Sequence, residues 1–158
     1  MAKKKKVPQQ QALSPERYIK EKARLLPIVE CWITDGWDKC GLGTAIVARQ
    51  HKNGNYTLGI YMFDTFCCGL TDSLYHFNVP EYEYREMLEE GCATLEMNPI
   101  SYEELHNLIY GAVAFAEEAG LGPHSSFKLT QYILEEDTDE IPLIEYEFGK
   151  DGKHFLVA

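Results

Sequence analysis

The chain has 158 residues, 45% of them apolar and 25% charged, with a formal net charge of −10. That length and balance predict one soluble domain with a proper core, and no apolar run approaches the roughly 20 residues that cross a bilayer. Residues 1–24 carry eight Lys or Arg against two Glu (+6), while residues 25–158 carry seven against 23 acids (−16), so the body repels nucleic acid and anionic membranes.

The predicted elements begin with a basic arm. Residues 1–13 (MAKKKKVPQQQAL) lack periodicity and read as disordered, leaving residues 14–158 as a single domain. Nucleic-acid contact is left only to Lys3, Lys4, Lys5 and Lys6. Ser14 and Pro15 read as N-cap and first residue of a short helix that stops before Pro27.

A run of strands is predicted next: 28–34, 44–51, 56–67 and 73–79. Asn53-Gly54 between the second and third is a strong hairpin signal, because both central residues need positive φ. Helices follow. One covers the acidic stretch 81–91. A longer one covers 102–119, opened by the capping box Ser101-Tyr102-Glu103-Glu104. Leu105, Leu108, Ile109, Ala112, Ala116 and Ala119 fall on one face of it, and Gly120 supplies the stop. Residues 126–135 suit a short helix, although they also alternate like a strand. Strands at 142–148 and 153–157 around Asp151-Gly152 predict a closing hairpin. The expectation is an α+β fold: an antiparallel β-meander packed against a long amphipathic helix, with a C-terminal β-hairpin.

The chemistry-bearing residues are few. Cys31, Cys40, Cys67, Cys68 and Cys92 are odd in number and follow no disulfide or zinc-finger spacing, and Val7–Ser14 is too polar for a signal peptide. Reduced thiols and a cytoplasmic location are expected. In the stretch IYMFDTFCCGLTD, strand alternation places Asp64 and Cys68 on one face and Cys67 on the other, and an acid inside an apolar strand is costly unless paired. On the long helix His106, Tyr110, Val113 and Glu117 form a stripe beside the core face, and His124 lies on a turn beyond it. Convergence of Asp64, His106, Glu117 and His124 would offer the ligand types that suit a divalent transition metal, or a general acid and base without one. Cys67 could act as a nucleophile with either histidine. The segment Gly41-Leu42-Gly43 does not complete a dinucleotide motif. Tyr75, Phe77, Tyr82 and Tyr84 have only Arg85 as a basic neighbour, too little for nucleic acid. The acidic runs at 81–90 and 135–140 fit solvated faces or docking onto a basic partner.

The segments RQHKNGNYTLGIYMFDTFCCGLTD, HNLIYGAVAFAEEAGLGPH and IPLIEYEFGKDGK resemble a poorly characterised bacterial family. Its members carry an Asp-x-x-Cys-x-Gly hairpin and a His-x-x-x-Tyr-Gly-Ala helix ending in Gly-Phe-x-Pro-His, and some are fused to helical repeats or an SEC-C-type zinc tail. The match runs over about residues 26–148 and lands on Asp64, Cys67, Gly69, Asp72, His106, Tyr110, Gly111 and His124. Leu121 stands where Phe is usual, and no Cys-rich tail follows. The resemblance implies these positions as a site and implies no activity. The leading expectation is a protein-binding or regulatory module, with no cofactor, acting through its acidic body and using Tyr110, Glu117, Cys67 and Asp72. The alternative is a metal-dependent hydrolase, on phosphodiesters for instance, with Asp64, His106, Glu117 and His124 as ligands or acid/base groups.

Overall fold

The computed structural model describes residues 13–91, 96–151 and 153–155. Lys3 to Lys6, Cys92 and residues 156–157 of the expected last strand lie outside them. Ser14 caps the first helix, α1 (Pro15–Lys22), by accepting from the Arg17 amide at 3.2 Å. Strand β1 (Ile28–Thr34) follows, then a single turn of helix α2 (Trp37–Cys40), β2 (Leu42–Gln50), β3 (Tyr56–Asp64) and β4 (Gly69–Val79). Helix α3 (Glu81–Gly91) leads to a three-residue strand β5 (Met97–Pro99), then α4 (Tyr102–Glu118) and the short α5 (Phe127–Thr130) with a 3₁₀ turn at Gln131–Ile133.

The sheet order is β4-β3-β2-β1-β5, and every pairing is antiparallel. The Asn-Gly turn closes β2 onto β3 with Gly54 at φ +90°. Strand β5 is an addition to the expected meander; at three residues with a proline it carries almost no periodicity, and proline is tolerated only because this is an edge.

Alternation gives the sheet two different faces. Cys31, Ile33, Ala45, Val47, Tyr61 and Phe63 point into the main core, where they meet Ile19 of α1 and Leu105, Leu108 and Ile109 of α4. Ala48, Tyr56 and Leu58 point the other way and pack under Tyr84 of α3. Arg49 sits at the rim of the main core, 1% exposed. Its guanidinium donates to the carbonyls of Ile133 and Leu26, both at 2.6 Å, and to Glu135 Oε1 at 3.0 Å. One side chain thus satisfies the ends of two 3₁₀ turns, Ala23–Leu25 and Gln131–Ile133.

The C-terminal expectation needs correction. Residues 142–148 belong to no helix or strand among the described residues, and from 143 onward they alternate between exposed and half-buried. A single bridge joins Lys150 and Lys153. Among the described residues the return arm makes no further bridge to 142–148: Phe155 N–H donates to Phe66 C=O at 2.8 Å, and Gly149 N–H to Thr65 C=O at 2.8 Å. Gly149 and Phe155 are held by the β3–β4 turn instead. Among the described residues no helix is long and apolar enough to cross a membrane.

Candidate functional site

The β3–β4 turn explains the buried acid. Strand β3 ends at Asp64, and residues 65–68 form the turn. Asp64 is 3% exposed, and its Oδ1 accepts from the amides of Phe66 at 2.9 Å and Cys67 at 3.2 Å. This is an Asx turn, in which the carboxylate replaces a backbone acceptor where the strand stops. The alternation expected for Cys67 and Cys68 therefore does not apply, since both lie half-buried in the turn rather than on a strand. Burial first, then hydrogen bonds to Cys67 and Asp64, push the Cys68 thiol up to about 11. A protonated thiol is a poor nucleophile at neutral pH. Gly69 closes the turn at φ +68°, and a Cβ there would sit 2.8 Å from both the Ala112 carbonyl oxygen and the Ala116 Cβ. The turn can press against α4 only because this residue has no side chain.

His106 is a core residue. It is 1% exposed, with both ring nitrogens engaged. The Asp137 carboxylate can only accept, so Nε2–H donates to its Oδ1 at 3.1 Å, which leaves Nδ1 to accept from the Tyr102 hydroxyl at 2.7 Å; the Tyr102 oxygen in turn accepts from the Glu135 amide at 2.6 Å. An acid from the 135–140 run thus fixes the tautomer, and the residue four positions earlier on α4 completes it. Tyr110 packs against the imidazole with ring centres 4.7 Å apart and planes tilted by 44°.

His124 lies elsewhere and is half-exposed. Its Nδ1 meets Ser126 Oγ at 2.8 Å, the Ser126 amide at 3.2 Å and Asp72 Oδ1 at 3.5 Å. Ser126 Oγ continues to Ser73 Oγ and then Thr130 Oγ1, each step 2.7 Å. Serine, histidine and aspartate are all present, but a proton relay needs them on opposite ring nitrogens, and here both use Nδ1. The cluster joins β4 to α5.

Asp64, His106 and His124 are therefore each bonded to different partners, and Glu117 is exposed. Among the described residues no group of three or more His, Cys, Asp or Glu is arranged to hold a metal ion, so these four form no such group. Cys31, Cys40, Cys67 and Cys68 are free thiols.

Tyr110 opens onto a groove of about 370 Å³ between α4 and residues 142–148. Asn107, Tyr110, Gly111 and Ala114 line its floor at helical spacing. Phe148 can lie along it because Gly111 leaves the space; a Cβ there would meet the ring at 2.5 Å. The polar groups are Asp137, Glu145, the Asn107 carboxamide and the hydroxyls of Tyr110 and Tyr146. Burial pushes the Tyr110 phenol up to about 12, so it stays neutral. Among the described residues the lining holds two acids, three aromatic rings with Tyr146 and Phe148, and no basic side chain. Periodicity marks Tyr110. It gives no signal for Asp137, Glu145 or Tyr146, which reach the groove only through the path of the chain after α5.

No protein-family model, no curated protein and no solved structure matches the chain.

Proposed function

We propose that the protein is a non-catalytic binding module for a basic protein partner, and that the groove between α4 and residues 142–148 is where it binds. The carrying observation is the groove's lining: carboxylates of Asp137 and Glu145 beside the rings of Tyr110 and Tyr146, with no cation among them. Acceptors and π faces together favour a lysine or arginine side chain, whose apolar stem lies on the aromatic surface while its charge meets carboxylate and ring. The net charge of −10 attracts such a partner from a distance and speeds encounter. In the fold itself, the groups that could have served catalysis are occupied. Asp64 caps a turn, His106 is bonded at both nitrogens, and His124 uses one nitrogen for all its contacts.

The test is anisotropy of a labelled lysine-rich peptide. Asp137→Asn with Glu145→Gln removes both carboxylate charges, while the new side-chain amide oxygen still offers His106 an acceptor. The expected result is a loss of about tenfold or more in affinity at moderate salt. Glu86→Gln with Glu89→Gln removes the same charge from α3 and serves as control. Equal losses in both pairs would mean that only net charge matters, and would sink the assignment of the groove.

A further inference from the structure

Residues 143–148 have the alternation of a strand and, among the described residues, no strand beside them. Ile144, Tyr146 and Phe148 are half-buried and face the body, while Leu143, Glu145 and Glu147 are exposed. Tyr146 meets Trp37 edge-on at 5.9 Å, and Phe148 stacks on Phe115 at 5.9 Å. At the start of the segment the Pro142 carbonyl accepts from Asn107 Nδ2 at 2.8 Å, and at its end Gly149 is bonded to Thr65. The segment is thus pinned at both ends and along one side. Yet among the described residues the amides and carbonyls from Leu143 to Glu147 have no hydrogen-bond partner. Unpaired backbone whose side chains keep the two-residue period of a strand is the template that strand addition uses.

We infer that residues 143–147 receive an extended, lysine- or arginine-bearing segment of a protein partner as an added strand, with its basic side chains on the face of Glu145 and Glu147. This rests on the binding reading above and specifies how the partner binds. Charge selects the occupant. Glu145 and Glu147 stand on the exposed side, where cross-strand neighbours of opposite sign are favoured and like charges opposed. A second copy would set these glutamates against each other, and each copy carries −10. Alternate residues of an added strand point to opposite faces, so a segment with basic residues at every second position places all of them on the acidic side.

The probe is a short synthetic peptide of alternating lysine and valine, added to the full chain. A second peptide has the same sequence, N-methylated at alternate amides, which keeps charge and side chains and removes the donors. Binding of the first peptide is expected to slow hydrogen exchange at 143–147, and N-methylation to weaken binding by about tenfold or more. Equal binding of both peptides, sensitive to Asp137→Asn with Glu145→Gln but without slowed exchange, would overturn strand addition and leave the groove reading standing. No binding of either peptide would overturn both. Amides at 143–147 already protected without peptide, and exposed on deletion of residues 1–12, would make the chain's own basic arm the occupant and overturn the inference.

Discussion

Replacing Asp64 separates the role of a shape from the role of a charge. Its Oδ1 accepts two backbone amides, at 2.9 and 3.2 Å, at a position 3% exposed. Asp64→Ala leaves both amides without that acceptor. Hydrogen bonds to a charged group are worth about 1.5–3 kcal/mol each, and the longer one contributes less, so the loss should be about 3 kcal/mol. For a chain of this size that lowers Tm by roughly 6–12 °C. Asp64→Asn keeps an oxygen in the same place and should cost about 1 kcal/mol or less. Urea denaturation followed by circular dichroism measures both. An Asn variant as damaged as the Ala variant would show that the carboxylate charge itself is needed, and the turn-capping account would be refuted.

Three further outcomes follow from the packing. Arg49→Met leaves two carbonyls and a glutamate without their buried donor and should cost about 3–5 kcal/mol in urea denaturation, with Arg49→Lys a poor rescue because one ammonium cannot reach three acceptors. Gly69→Ala combines a left-handed backbone with a 2.8 Å clash against the Ala112 carbonyl, and should cost about 2–5 kcal/mol in the same assay. Burial, with Arg49 opposing and Glu103 assisting, pushes the Cys31 thiol up to about 12. The folded state then holds a proton that the unfolded state releases from about pH 9 upward. Its contribution is complete below that pH and is lost as pH rises, by up to about 1.4 kcal/mol per unit. Thermal melts from pH 8 upward should fall more steeply for the native chain than for Cys31→Val, and parallel curves would contradict this.

Local chemistry is readable where it is self-contained. Ser14 caps the first helix and Ser101 accepts the Glu104 amide as the capping box requires, and β1 runs over the residues its composition suggests. Asp64 misleads because periodicity cannot say that a strand ends on the acid rather than three residues later; the amides of Phe66 and Cys67 decide that. His106 looks like a site residue in the sequence because its partner Asp137 lies 31 positions away, inside an acidic run that reads as merely solvated. Arg49 gives no signal, since an isolated arginine in a strand usually points to water. Residues 143–148 alternate as a strand should, but alternation specifies a face and not a neighbour. Their return arm goes to the β3–β4 turn through Phe155.

The central claim is that the groove along α4, and not acidity in general, takes a basic partner. An amide-resolved NMR titration with the alternating lysine–valine peptide tests it most directly. The account predicts that the largest shifts cluster at Asn107, Tyr110 and Ala114 and along residues 143–148. Shifts centred on the acidic helix α3, or spread evenly over the surface, would contradict it.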